Sequence, residues 1–224
     1  MYDFLTSIEV YNFLKGPMVW VAFIIFICGS AYRVYLLIKL AKKDRVVYPY
    51  LSLKYALRSL VHWLIPFGSR NMRLHPWMTF FAFTFHAGLL FTPVFLYPHI
   101  VLWQQAWGIR WWSLPETTAD IITLIVILCC VFFILRRIFA PEVRFVTFAS
   151  DYLIIAIAAA PFITGFLAFH QLVPYRPMLM LHMLLGEIML IALPFTRLSH
   201  MLSFWLTRAH TGSEFGVFRH SKDY

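Results

Sequence analysis

Very little of this chain can face water. Only 13% of its 224 residues are Asp, Glu, Lys or Arg and 61% are hydrophobic, whereas a soluble domain carries about 25% charged and about 45–50% apolar residues. A globule of this composition has too little polar surface to cover itself, so a soluble enzyme is excluded and lipid must do the covering. Cysteine is scarce too. The three present, Cys28, Cys129 and Cys130, all fall inside apolar runs, which excludes a CxxC zinc or iron–sulfur pattern, a CxxCH haem attachment and a disulfide scaffold. Acidic residues number 10 against 19 basic ones, a formal net charge of +9. The basic residues punctuate apolar runs, a pattern of membrane topology and not of nucleic-acid binding. The N-terminal MYDFLTSIEVYNFLKG lacks the basic start and small-residue cleavage site of a signal peptide, so the first apolar run is expected to stay as an anchor.

What the chain has in quantity is apolar length. A membrane-spanning helix needs about 20 mainly apolar residues, and five stretches qualify, at about residues 17–40, 76–103, 118–138, 148–169 and 177–206, with 207–224 left as a tail. Within Ser52 to Phe67, Leu53, Leu57, Leu60, Val61 and Leu64 recur at helical spacing opposite Lys54 and Arg58, the signature of an amphipathic helix lying in the interface. The predicted fold is an all-α integral membrane protein, a single domain over residues 1–224 built as a five-transmembrane-helix bundle with an interfacial amphipathic helix between its first two spans. Of the 19 basic residues only Lys15, Arg110 and Arg176 fall on one side of these spans. The positive-inside rule therefore sets the N-terminus outside and the C-terminus in the cytoplasm. The outer loop WQQAWGIRWW places Trp at the headgroup level.

Histidine carries the chemistry. Of nine histidines, His86, His99, His182 and His200 lie within or at the ends of the second and fifth spans, where an ionisable or metal-binding side chain is costly and points to function. Imidazoles on facing helices are how a bundle holds haem iron from both axial sides. In one regular helix His182 and His200 share a face about 27 Å apart, while His86 and His99 are about 20 Å apart but about 140° from a common face. Pro93 and Pro98 can bend or unwind that segment. His75 and His86 are nearly co-facial, although His75 sits at the cytoplasmic mouth. The expected iron ligands are His86, His182, His200 and a fourth, His99 first and His75 second.

The local sequences then resemble a known family. Leu181 to His200, LHMLLGEIMLIALPFTRLSH, resembles the last span of the gamma subunit of respiratory nitrate reductases, in which HxxxG and PF(S/T)RLxH bracket two haem ligands. Arg136 to Ile154, RRIFAPEVRFVTFASDYLI, is similar to that family's RR(L/I)FxPxVR turn, followed by an Asp that opens the fourth span. Phe85 to Leu90, FHAGLL, is similar to its FHxGxL around the first ligand. The resemblance covers most of the chain from about residue 83 onward. It implies a membrane cytochrome b with two non-covalent, bis-histidine haems, a cytoplasmic-side one held by His86 and His200 and an outer-side one held by His182 and His99. The family's second ligand lies at the position of Leu96, three residues before His99. An amphipathic insertion between the first two spans brings the chain nearer to the shorter relatives in sulfate-reducer redox complexes of the Tmc, Hmc and Dsr types.

That resemblance implies a bacterial inner-membrane location, a cytoplasmic iron–sulfur partner of the heterodisulfide-reductase type, a periplasmic multihaem cytochrome c, and menaquinol as an electron donor; nitrate reduction is not implied. Several other residues are candidates on their own chemistry. Gly88 and Gly186, close to proposed ligands, admit either a macrocycle or ordinary helix packing. Arg197 suits a haem propionate or a topology charge. Glu187, a carboxylate within the fifth span, is a proton-relay or quinone-site candidate, alternatively paired with a neighbouring helix. Arg110, Glu116 and Asp120 are outer-face quinone-site candidates or solvated loop charges. The rival functions are a non-redox membrane anchor for soluble catalytic subunits and a small transporter, the latter lacking visible inverted repeats.

Overall fold

The computed structural model describes residues 7–221, which are helical with no strand among them. Five helices are long and apolar enough to cross a membrane, Ile8–Ala41, Pro76–Phe95, Glu116–Phe139, Ala149–Phe169 and Tyr175–Phe195. The chain is an all-α, multi-pass membrane protein. Its first helical run comprises α1 (Ile8–Phe13), a π-helical turn over Leu14–Met18 and α2 (Val19–Ala41). Pro17 lies in that turn and lacks the N–H a regular ladder would use, which fits the local widening. There follow α3 (Leu53–Leu64), α4 (Arg70–Leu74), α5 (Pro76–Phe95), α6 (Tyr97–Trp107), α7 (Glu116–Phe139), α8 (Pro141–Arg144), α9 (Ala149–Phe169), α10 (Tyr175–Phe195) and α11 (His200–Ser213).

Two of the expected spans are interrupted. The run expected over 76–103 stops at Phe95, and Leu96 is extended at φ −70° and ψ 128° before α6 begins. Pro98 has no N–H to offer the Val94 carbonyl, so a continued helix would leave that oxygen unpaired. The Trp111 indole donates to it instead at 3.0 Å, and the Leu114 amide donates to the Phe95 carbonyl at 2.9 Å. The run expected over 177–206 likewise stops at Phe195, one residue after Pro194. Thr196 is extended, its hydroxyl accepts from the Leu198 amide, and a 3₁₀ turn over Arg197–Ser199 leads into α11. His182 and His200 therefore sit on different helices, and the spacing of one regular helix does not relate them. The segment expected as a tail from residue 207 continues as helix to Ser213 and as a π-helical turn over Glu214–Phe218.

By contacts the chain divides into two compact units, one built mainly of residues 81–186 and the other mainly of 12–80 with the segment from 187 onward. In the first, α7 packs against α9. α7 buries Ala119, Thr123, Val126 and Cys130, a single face at helical spacing, and α9 buries Ala158, Ala159 and Phe162. These mostly small side chains let the helices approach where lipid provides no hydrophobic drive between them. The turn between the two helices is closed by Asp151, which is buried, accepts from the Phe148 amide at 2.8 Å and lies 3.7 Å from Arg137.

In the second unit α3 lies along α11. Ser59 is fully buried, and a Cβ at Gly212 would come within 2.6 Å of the Ser59 Cβ and 2.8 Å of the Tyr55 carbonyl. The Ser52 amide donates to the Ser213 hydroxyl at 3.0 Å, and Arg208 lies over the Trp63 ring at 5.1 Å. Asp44 joins the loop after α2 to α11, accepting from the Val46 and Val47 amides at 2.9 and 3.0 Å and meeting His210 Nε2 at 3.1 Å. The Val47 and Val46 amides, foremost, and His210 hold the Asp44 carboxyl below the usual carboxylate range.

Two outcomes follow from these contacts. Replacing Gly212 with Leu forces α11 off α3 at a cost of roughly 1–3 kcal/mol, read as a lower midpoint of thermal unfolding with faster amide exchange in α3. Because the Asp44 value is lowered by folding, its contribution is complete above the ordinary carboxylate range and disappears as pH falls through the folded value. Protection of the Val46 and Val47 amides, measured as exchange relative to the intrinsic rate at each pH, is expected to fall on acidification, and Asp44→Ala to lower it at neutral pH while removing its pH dependence.

Candidate functional site

The four histidines expected as ligands share one local arrangement. In each, Nδ1 meets a backbone carbonyl: His86 that of Ala82 at 2.7 Å, His99 that of Pro93 at 2.8 Å, His182 that of Pro161 at 2.9 Å and His200 that of Arg197 at 2.8 Å. A carbonyl only accepts, so Nδ1 carries the proton and, in the neutral ring, Nε2 carries the lone pair. This is the orientation that metal-ligating imidazoles require. His170 and His210 are arranged the opposite way, with Nε2 at 3.1 Å from Asp120 and from Asp44. Hydrogen-bond direction thus separates the proposed ligands from two histidines that hold the fold.

His99 and His182 come together within the first compact unit. Their ring centres are 6.0 Å apart and their planes differ by 19°. Two imidazoles this close, each with Nδ1 taken by a carbonyl, leave two Nε2 lone pairs in one region of the unit. The break at Leu96 makes the meeting possible: it ends α5 early, turns the chain, and lets His99 reach back to the Pro93 carbonyl. The angular mismatch of about 140° that a regular helix imposes between His86 and His99 therefore does not arise. His182 is seated against α9. A Cβ at Gly165 would lie 2.9 Å from its Cε1 and 3.1 Å from its Nδ1, and the Thr164 hydroxyl is 3.5 Å from the same nitrogen.

Gly165, Pro161 and Thr164 are absent from the sequence-based candidates. Their signal is present in retrospect, as a Pro-x-x-Thr-Gly step inside an otherwise uniformly apolar span. The remaining candidates fall in different places. His75 is exposed at the end of α4, in the other compact unit from His182. His86 lies on α5 in the first unit and His200 opens α11 in the second. Gly88 serves packing: a Cβ there would run into Val126 and come within 3.2 Å of Ile122, both on α7. Gly186, by contrast, has nothing within 4 Å of a built Cβ. Arg197 lends its carbonyl to His200, and its exposed side chain lies in the 3₁₀ turn. Arg110 and Glu116 are exposed, and Asp120 is the partner of His170.

Glu187 stands apart. It is 4% exposed inside α10, and neither carboxylate oxygen has a hydrogen-bond partner among the described residues. An ionised carboxylate so placed is strongly disfavoured, so the group is suited to holding a proton.

No family model matches the chain. Over 215 residues it is 39% identical to a protein of Nitratidesulfovibrio vulgaris strain Hildenborough, an alignment that covers 94% of this chain and 95% of that one. At that identity and nearly end-to-end coverage, the chain belongs to the same family as the Nitratidesulfovibrio vulgaris protein.

Proposed function

We propose that the chain is a dihaem b-type cytochrome subunit of a membrane-bound redox complex, linking a menaquinol or periplasmic cytochrome c on one side to a cytoplasmic iron–sulfur, heterodisulfide-reductase-like partner on the other. The observation that carries this reading is the stacked His99–His182 pair, with ring centres 6.0 Å apart and each ring held through Nδ1 by a backbone carbonyl. Two imidazoles are too few for an isolated metal ion, which takes four or more ligands. His99 and His182 would hold a haem, which brings its own ring nitrogens and, when bound, would supply one-electron chemistry.

The protein's part is to orient and insulate. The Pro93 and Pro161 carbonyls fix the tautomers of His99 and His182, and Gly165 leaves the room that the His182 ring needs. His86 and His200, with the same Nδ1 arrangement, are the candidate ligands for a second, cytoplasmic-side haem. Arg197 is the cation for a propionate there, and Glu187 is a proton-holding group beside the redox centres or a quinone. The bias of basic residues supports an inner-membrane protein with its N-terminus periplasmic and its C-terminus cytoplasmic.

Reduced-minus-oxidised absorption and pyridine haemochrome quantitation on the purified protein test the reading. The wild type is expected to show b-type bands and to retain both haems. His99→Ala and His182→Ala are each expected to lose one, and His75→Ala to lose none. Gly165→Val is expected to match His182→Ala, because even its Cβ meets the imidazole. An unloaded wild type without b-type bands, prepared with haem supplied, rejects the proposal in favour of a non-redox anchor for soluble subunits.

A further inference from the structure

The side-by-side helices α3 and α11 are turned the wrong way round for water. On α3, Leu53, Leu57, Val61 and Leu64 form one row at helical spacing and are 74%, 52%, 49% and 61% exposed. The flank of α3 that meets α11 is instead small and polar, with Ser59 and Ser213 fully buried and Gly212 against the Ser59 Cβ. On α11, Met201 and Trp205, one turn apart, are also exposed. A helix pair that buries serine and glycine while presenting leucine, valine and tryptophan requires an apolar medium on its outer side.

The chain's connectivity says which medium. α3 follows α2, a span that ends at Ala41, after a short loop, and α11 follows the span α10 after four residues, Thr196–Ser199. Both helices thus start close to where a span leaves the hydrocarbon. The loop into α3 is cationic, with Lys42, Lys43 and Arg45 exposed, and Lys54 is exposed in the first turn of α3. The carboxylate among them, Asp44, is engaged by two backbone amides and by His210. These cations therefore have a charge-complementary surface available in lipid phosphates.

We propose that α3 and α11 form a two-helix platform lying in the leaflet on the basic side of the membrane, which selects anionic phospholipid headgroups through Lys42, Lys43, Arg45 and Lys54. The apolar row sets the depth, since an amphipathic helix buries that face at the boundary of headgroups and acyl chains. The cations set the choice of lipid, since basic residues next to a span attract anionic lipid over zwitterionic lipid. Serine and glycine between the helices let them lie close enough to act as one surface. The platform stands independently of whether the histidines bind haem.

The test uses the full chain in nanodiscs of phosphatidylcholine with or without phosphatidylglycerol. Nitroxides at Leu57→Cys, Val61→Cys and Lys54→Cys are read above the signal of the labelled wild type, whose native cysteines contribute a background. At positions 57 and 61 the label is expected to collide with oxygen and to be shielded from a water-soluble nickel chelate, with the reverse at 54. In native mass spectrometry the wild type is expected to retain phosphatidylglycerol over phosphatidylcholine. Lys42→Gln, Lys43→Gln and Lys54→Gln are expected to weaken that preference by about fivefold for each charge removed, and high salt to weaken it similarly. Circular dichroism matching the wild type shows that the exposed substitutions leave the helices formed. Exposure of positions 57 and 61 to the nickel chelate in bilayers, or equal retention of both lipids by the wild type, overturns the proposal. Shielding that appears only when a soluble partner is added also overturns it and makes the face a protein-docking surface.

Discussion

A backbone carbonyl freed from its helix inside a membrane has no water to turn to, and each such oxygen must find a donor within the protein. The arrangement of this chain follows from that requirement at its prolines. Pro98 forces an end to α5, and the Trp111 indole and Leu114 amide take up the Val94 and Phe95 carbonyls. The Pro93 and Pro161 carbonyls receive the imidazoles of His99 and His182. His99 thus satisfies a carbonyl beside the break, whereas His182 shares one within the continuous helix α9, and in both rings the bond fixes which nitrogen is left with a lone pair. Tautomer, ring orientation and helix geometry are set by the same few bonds.

Much of the fold is legible in the sequence because hydrophobic length and helical period are local properties. The third and fourth spans end within a few residues of their expected limits, at Glu116–Phe139 and Ala149–Phe169. The amphipathic helix lies at Leu53–Leu64, inside the segment that showed the apolar row. The breaks were harder to read. At Leu96 the donor that makes the interruption tolerable comes from Trp111, in a loop beyond α6, so no window around Pro98 contains the information. Near Thr196 the apolar character runs on through Met201, Phe204 and Trp205, which disguises a separate helix, α11, as the end of a span.

The candidate site divides along the same line. Histidines within apolar runs announce themselves by type, so His86, His99, His182 and His200 could be selected without a structure. The seat of His182 could not, because Gly165 lies on another helix and matters only through a contact between the two. Gly88 shows the converse: its nearness to His86 in sequence left room for either a macrocycle or helix packing, and its open side faces Val126 and Ile122. A glycine beside a ligand in the chain is at a different height and angle on the helix, whereas one that faces a ligand from a neighbouring helix touches it. Spacing along one helix cannot supply that distinction.

The same geometry explains why the histidines fall into two kinds. His170 and His210 present Nε2 to carboxylates, Asp120 and Asp44, at partly exposed positions where an ion pair costs little to form. Within a span a carboxylate partner would itself have to be desolvated, and the cheaper acceptor is a backbone carbonyl. Choosing that acceptor for Nδ1 turns Nε2 away from the helix that supplies it. In the His99–His182 pair this brings two imidazoles together, each held by a backbone carbonyl. The helix break at Leu96 and the bond from the His99 imidazole to the Pro93 carbonyl together bring His99 beside His182, by backbone chemistry alone.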